Sequence, residues 1–249
     1  MSPITASSPT SASADARHTV RAHLAAALRM FAELDFDEGA AGHLSVRDPY
    51  DADLFWINPD GLPFELATAS SVVLVNAAGD VIEGSHGPNR AGQHLHAAVY
   101  AARPDVVSAM HAHPVATKAW SSLRRLLDPI NQEVCIFYGC HSLFDEYMGP
   151  FSDESESAKI ADALGADNIA VILRNHGLLT VGASVGSAAY RFKMFDRSVR
   201  VQMAAEALGR PAQIDHAVAS ALAVSEGHCE HGFLPIYTSI RTRHPEVDS

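Results

Sequence analysis

The stretch Met110-His111-Ala112-His113-Pro114 closes a run of strand-forming residues, and Asn175-His176-Gly177 follows a second such run later in the chain. Side chains alternate between the two faces of a strand, so His111 and His113 are predicted to project from the same face. If His176 ends a neighbouring strand, three imidazoles can converge on one cation, at nitrogen-to-metal distances of about 2.0–2.1 Å for zinc. The pattern therefore predicts a metal site at the strand ends of an α/β fold.

A structural role for these histidines is the alternative, because the chain has 14 histidines and many buried ones only form hydrogen bonds. Their position favours the metal site. Apolar runs at 106–110 and 169–173 give way directly to the two histidine groups, and α/β proteins place ligands where strands end.

Composition and charge limit the classes of partner. The chain has 249 residues, of which 47% are hydrophobic and 19% charged, and its formal net charge is -11. This charge argues against a nucleic acid or an anionic membrane as partner. Cys135, Cys140 and Cys229 show no metal-binding or disulfide spacing, and no apolar run approaches the roughly 20 residues of a membrane span. We therefore expect a cytoplasmic protein that acts on a small molecule.

Three regions are predicted along the chain. Residues 1–16 are rich in Ser, Ala, Thr and Pro without periodicity, which is typical of a disordered tail. Residues 17–210 alternate between helical and strand patterns and form the predicted domain. Residues 211–249 are predicted to be an extension that packs on this domain or on a neighbouring subunit.

The predicted elements of the domain follow from hydrophobic spacing and turn signals. Strands are predicted at Leu44–Val46, Leu54–Ile57, Val72–Val75, Asn131–Tyr138 and Ile169–Leu173, besides the His-x-His strand. Helices are predicted at Val20–Phe31, Leu95–Ala102, Thr117–Leu127, Glu154–Leu164 and Gly186–Leu208.

Five motifs occur in an order and spacing that resemble the class II aldolase/adducin family: Gly42-His43-Leu44-Ser45-Val46-Arg47, His96-Ala97-Ala98-Val99-Tyr100, Arg103-Pro104-Asp105, His111-Ala112-His113-Pro114 and Asn175-His176-Gly177-Leu178-Leu179. The resemblance implies a three-layer α/β/α fold with a central, mainly antiparallel sheet. It also implies one divalent metal per subunit, held by His111, His113 and His176, and a homotetramer with active sites between subunits. Zn²⁺ is the first expectation, with Fe²⁺, Mn²⁺ and Co²⁺ as alternatives.

The sequence departs from the sugar-phosphate aldolases of that family at the residues that hold phosphate and transfer protons. A Gly-Asn pair, a Ser-Gly turn and a Ser-Ser-Glu segment correspond here to Gly42-His43, Asp60-Gly61 and Arg90-Ala91-Gly92. An aspartate repels a phosphate dianion, and glycine cannot carry a proton. These departures argue against a phosphorylated sugar. The candidate substrate-binding residues are Arg90, His43, Asp60 and Gly61.

Arg90 can make a planar two-point contact with a carboxylate, although a surface arginine in a loop is an equal alternative. Proton transfer needs a group other than the missing glutamate. Tyr147 resembles in position a proton-donating tyrosine of the family aldolases, and His94 lies two residues from Gly92. Tyr147 and His94 are therefore the catalytic candidates, with a packed helical residue as the alternative for His94.

Three functions are compatible with these residues. The first is a metal-dependent lyase that breaks a C–C bond through an enediolate, by retro-aldol cleavage or decarboxylation, in a non-phosphorylated, carboxylate-bearing molecule. The second is a non-haem Fe(II) oxygenase or oxidative decarboxylase of aromatic 2-oxo or 2-hydroxy acids. The third is a non-catalytic, adducin-like assembly domain, which the three intact histidines disfavour.

Overall fold

Eight strands form one sheet in the computed structural model, which describes residues 11–39, 41–147, 149, 154–222 and 225–249. The strands are β1 (His43–Arg47), β2 (Leu54–Ile57), β3 (Val73–Asn76), β4 (Val81–Glu83), β5 (Ser108–Ala112), β6 (His141–Phe144), β7 (Ala170–Leu173) and β8 (Gly177–Gly182). Their order is β4-β3-β2-β1-β5-β8-β7-β6, and every neighbouring pair is antiparallel except β6 and β7. The predicted central, mainly antiparallel sheet is confirmed.

Helices cover both faces of this sheet, as the predicted three-layer fold requires. The described helices are α1 (Ser11–Glu33), α2 (Arg90–Ala102), α3 (Val115–Ser121), α4 (Glu154–Leu164), α5 (Val185–Leu208), α6 (His216–Ala221) and α7 (Glu226–Arg243). One core joins a sheet face to α1, α5 and α7, and a second core joins the opposite face to α2 and α4. None of the described helices is long and apolar enough to cross a membrane.

The alternation of residues in β1 determines which face carries polar groups. Leu44 and Val46 are buried in the core beneath α1 and α5. His43, Ser45 and Arg47 point to the other face, where their side chains contact α2. A strand with this pattern places a row of polar side chains under a helix, next to the predicted metal site.

One predicted strand is wrong. Within Asn131–Tyr138 the chain forms a 3-10 helix at Glu133–Phe137, and the strand of this region is β6. The Asn131 side-chain oxygen accepts a hydrogen bond from the backbone N–H of Val134 at 2.9 Å, which favours a helical turn. The four residues from Val134 to Phe137 are all buried, so they give no period-two signal.

Helix boundaries also differ from the prediction, most of all in α1, α2 and α3. Helix α2 begins at Arg90, five residues before the predicted Leu95. The predicted helix Thr117–Leu127 is present only as α3, which ends at Ser121. Arg124 has a φ of 55°, in the left-handed region, so the helix cannot continue through it. Helix α1 begins at Ser11, before the predicted start of folded structure at Arg17, and residues 1–10 of the predicted tail lie outside the described residues.

The C-terminal region contacts the domain through α7. This helix packs against α5 and α1, with Phe233 and Ile240 buried in the core. The guanidinium of Arg243 pairs with Glu33 at the end of α1.

Candidate metal centre

Three histidines meet at one end of the central strands. His111 lies in β5, His113 follows the same strand, and His176 lies in the hairpin loop between β7 and β8. Because β8 pairs with β5, with Leu178 opposite Ala112, the hairpin loop lies beside the end of β5. The predicted shared face of His111 and His113 and the approach of His176 are both present in the structure.

The ring nitrogens of these histidines converge on one point. The Nε2 atom of His113 lies 2.9 Å from Nε2 of His111 and 2.8 Å from Nε2 of His176. One ligand atom from each residue falls within 4.8 Å of the others. On the far side of its ring, His111 places Nδ1 2.9 Å from the carbonyl oxygen of Leu178. A carbonyl only accepts, so Nδ1 carries the proton and Nε2 keeps its lone pair for a metal.

A shared proton does not satisfy this arrangement, whereas a cation does. His113 Nε2 faces two other ring nitrogens but can donate at most one proton. If it donated, its Nδ1 lone pair would face the Glu38 carboxylate, 3.4 Å away. With the proton on Nδ1, the Nε2 lone pairs of His111 and His113 face each other, and a proton from His176 could satisfy that of His113 but not that of His111. The donor set therefore fits a divalent ion of the zinc type, which binds imidazole nitrogens.

Burial keeps the three imidazoles neutral. Desolvation is the largest cause of the shift in each case, and it holds the pKa of His111 well below its usual value. It lowers the pKa of His176 to about 4 and also lowers the pKa of His113. Metal ligands must be deprotonated, so these residues are ready to bind an ion at neutral pH without releasing protons.

Two charged side chains, those of Glu38 and Lys118, lie next to His113. The Glu38 carboxylate lies beside Nδ1 of His113 and forms an ion pair with Lys118 of α3. The Lys118 ammonium is the main reason that the pKa of Glu38 is lowered, so the carboxylate stays ionised. A carboxylate on the far nitrogen orients a ligand ring and raises its basicity.

Glu38→Gln is therefore expected to weaken zinc binding by about tenfold, because the amide keeps the shape but loses the charge beside His113. The measurement is zinc affinity by competition with a chromophoric chelator. Glu146→Gln is the matched control, since Glu146 is exposed and pairs with Lys159. Equal affinities of the two variants would rule out a supporting role for Glu38.

A cavity of about 200 Å³ opens onto the histidines. Its lining residues are Ala41, Gly42, His43, Asn89, Ala91, His111, His113 and His176. These lining residues include one of the predicted catalytic and substrate-binding residues, His43. His43 pairs directly with His111 across β1 and β5, and their ring centroids are 4.7 Å apart.

The two predicted residues on α2 point elsewhere. Arg90 is exposed, and its guanidinium lies against the β3–β4 turn, where a Cβ on Gly79 would come within 2.8 Å of Nη1. His94 lines a separate cavity with Ala77, Ala97, Ala98 and Ala158. In the single chain, neither side chain is brought to the three histidines.

The remaining predicted residues lie outside the cavity lining. Asp60 and Gly61 are exposed in a turn that follows Asn58, and Asn58 binds the backbone of Leu44 and Gly42 near the cavity. Tyr147 follows β6 with 55% of its surface exposed. Because β6 and β7 run parallel, it emerges at the same end of the sheet as the His176 loop.

The structure adds residues that sequence reasoning missed. His96, Ser45 and Tyr100 form a buried hydrogen-bonded chain behind His43, and Glu38 supports His113. The signal for Ser45 was present in the sequence, since polar residues at alternate positions of β1 pointed to one face, whereas His96 and Tyr100 lie on α2. Nothing local identified Glu38, which lies in an irregular segment.

Comparisons with known proteins agree with this architecture. Residues 22–203 match the sequence model of the Class II Aldolase and Adducin N-terminal domain. Decarboxylase NovR of Streptomyces niveus is 38% identical over 197 residues, covering 78% of this chain and 73% of that protein. The 4-hydroxy-3-prenylphenylpyruvate oxygenase/4-hydroxy-3-prenylbenzoate synthase of Streptomyces roseochromogenus subsp. oscitans is 35% identical over 228 residues, with 90% and 82% covered.

A solved structure of an aldolase has the same fold as this chain. L-fuculose 1-phosphate aldolase from Glaciozyma antarctica PI12 superimposes with a TM-score of 0.88 at 36% identity, covering 97% of this chain and 96% of that one. The fold and the site together define a three-layer α/β/α protein with a three-histidine centre at one end of its sheet. The chain belongs to the class II aldolase/adducin family.

Proposed function

We propose that the protein is a divalent-metal-dependent lyase that breaks a C–C bond in a small, non-phosphorylated molecule bearing a carboxylate. The observation that carries this proposal is the lining of the 200 Å³ cavity. Its described residues include four histidines and an asparagine but no acidic and no cationic side chain. When bound by His111, His113 and His176, a divalent ion supplies Lewis acidity to oxygen atoms of the substrate.

Charge balance supports an anionic substrate. Three neutral imidazoles leave the double positive charge of the ion intact, and no carboxylate of the lining neutralises it. Glu38 lies on the outer side of His113 and is already paired with Lys118. A 2-hydroxy or 2-oxo carboxylate would supply the missing negative charge, together with a second oxygen for chelation.

The residues around the cavity have separate roles in this proposal. His43 lines the cavity with its ring centroid 4.7 Å from that of His111, and it contacts the substrate. Tyr147, at the same end of the sheet as His176, is the proton donor proposed from the sequence pattern. Arg90 and His94 lie away from the cavity of this chain. Their proposed roles therefore require either a substrate that extends beyond this cavity or the site of a neighbouring subunit.

A second function shares the same residues. One relative is named an oxygenase, is 35% identical and covers 90% of this chain, which supports oxidation of an aromatic 2-oxo or 2-hydroxy acid. A centre of neutral histidines with open positions also suits Fe(II). The two functions differ in the metal and in the need for dioxygen.

One experiment separates them. The protein is purified without added metal, its metal content is measured, and it is incubated with aromatic 2-oxo and 2-hydroxy acids with and without dioxygen. Release of an aldehyde or of carbon dioxide under anaerobic conditions, with zinc, manganese or cobalt bound, is the result expected for the lyase. Bound iron with substrate-dependent oxygen uptake would exclude the lyase and establish the oxygenase.

A further inference from the structure

His43 occupies the space that a side chain at position 92 would need. Gly92 lies in the first turn of α2, and a Cβ built on it would be 2.5 Å from both Cβ and Cγ of His43. Real Cβ atoms essentially never come within 3.0 Å of another heavy atom, so no other residue fits here while His43 holds its present position. The side chain missing at position 92 and the imidazole at position 43 are thus alternative occupants of one volume beside His111.

The His43 ring is held from behind by a chain of buried polar groups. Its Nδ1 lies 2.9 Å from Nε2 of His96, and Nδ1 of His96 lies 2.5 Å from Oγ of Ser45. Ser45 Oγ is in turn 2.6 Å from the hydroxyl of Tyr100. Each of these four residues is at most 5% exposed, so water does not replace the contacts. The Tyr100 hydroxyl also donates to the carbonyl of Val107 at 3.4 Å.

This chain has two proton arrangements with the same total number of protons. In one, His43 Nδ1–H donates to His96, His96 Nδ1–H donates to Ser45, and Ser45 donates to Tyr100. His43 Nε2 is then an acceptor. In the other, the three bonds that link His43, His96, Ser45 and Tyr100 are reversed, the Tyr100 hydroxyl donates to Ser45 instead of Val107, and Nε2 is a donor. Both arrangements are neutral, so burial penalises neither with an uncompensated charge.

We propose that the imidazole of His43, which fills the volume that the glycine at position 92 leaves free, presents Nε2 to an oxygen atom of the substrate. His96, Ser45 and Tyr100 position this imidazole and set its tautomer. Nε2 makes no hydrogen bond to the described residues, and His43 lines the cavity. The proposal deepens the proposed function and rests on it, because the substrate is the partner of Nε2. His43 is the substrate-contacting residue, and the other three are positioning residues.

The shared volume is tested by a double-mutant cycle of thermal stability in the full chain. With His43 present, Gly92→Ala is expected to lower Tm by roughly 5 °C, because the new Cβ overpacks a filled site. In a His43→Ala background the same change should raise Tm by about 2 °C, since alanine favours helix once the space is empty. His43→Ser provides a second small background. An equal decrease in all backgrounds would overturn the shared volume.

The positioning chain is tested by ¹⁵N NMR of the zinc-loaded, histidine-labelled protein, in which the two ring nitrogens report the tautomer of His43. Ser45→Ala and Tyr100→Phe are expected to change the His43 tautomer populations while zinc affinity stays within about twofold, and Ser45→Thr should restore them. Glycolate, a simple 2-hydroxy acid, should shift the Nε2 signal. Unchanged His43 signals in both variants, or an unmoved Nε2 signal at saturating glycolate, would overturn the proposal. Neither readout depends on turnover, so failure to find a lyase substrate is a separate result.

Discussion

His113→Ala is expected to abolish metal binding and to lower activity on the order of a thousandfold. The Nε2 atom of His113 lies within 2.9 Å of the corresponding atoms of both His111 and His176, so it is the central member of the three. Its removal leaves two nitrogens, which is fewer than the three protein ligands of a catalytic zinc site. The measurement is metal content by elemental analysis of the purified variant.

His86→Ala is the matched control for this variant. His86 is exposed in the segment before α2, and among the described residues its ring forms a hydrogen bond only with Ser85. The control should keep the metal content and activity of the unchanged protein. Full metal occupancy in the His113 variant would refute the three-histidine site itself, whatever the reaction.

The positions of the metal-ligating candidates were predictable because they depend on local rules. Alternation along β5 places His111 and His113 together, and the apolar run that forms β7 ends three residues before His176. The hairpin loop was not predicted, since the residues of β8 directly follow His176 and gave no turn signal beyond Gly177. Because β8 pairs with both β7 and β5, the loop between β7 and β8 brings His176 to the end of the sheet where β5 ends, as a strand terminus would.

The surroundings of the site were not predictable, because they depend on how elements pack. The side chain of Arg90 turns to the β3–β4 turn although Asn89 and Ala91, its neighbours in sequence, both line the cavity. Which of these neighbouring side chains faces the cavity depends on how α2 is rotated about its own axis against the sheet, and sequence spacing alone does not determine that rotation. The contact of His43 with Gly92 likewise joins a strand and a helix that lie far apart in the chain. The glycine at position 92 was visible in the sequence, whereas its contact with the His43 imidazole was visible only in the packing.

Acid is expected to unfold the metal-free protein between pH 6.5 and 4.5. Burial lowers the pKa of His96 to about 3 and that of His176 to about 4, and it holds the pKa values of His43 and His111 well below their usual value. In the unfolded chain these groups titrate near pH 6.5. Between the pKa of such a histidine in the folded protein and its pKa in the unfolded chain, the unfolded state binds more protons than the folded state. The stability that these histidines contribute is therefore fully present above pH 6.5 and falls as the pH decreases.

The expected size of this effect is large. At pH 5 each histidine that stays neutral in the fold costs about 2 kcal/mol relative to its protonation in the unfolded chain. Several such groups together approach the whole stability of a typical domain, about 5–15 kcal/mol. Ordinary carboxyl groups titrate near pH 4, so the window above pH 4.5 reports the histidines.

The measurement is the free energy of unfolding by urea at a series of pH values, with and without zinc. His96→Gln removes one buried titrating group but keeps a donor and an acceptor toward His43 and Ser45, so the slope with pH should become shallower by up to about 1.4 kcal/mol per pH unit. Saturating zinc should stabilise the protein at pH 7, and this gain should decrease as protons compete for the ligands. A stability that is constant from pH 7 to 4.5 without metal would contradict the neutral, desolvated state of these histidines, and with it the readiness of the site to bind an ion.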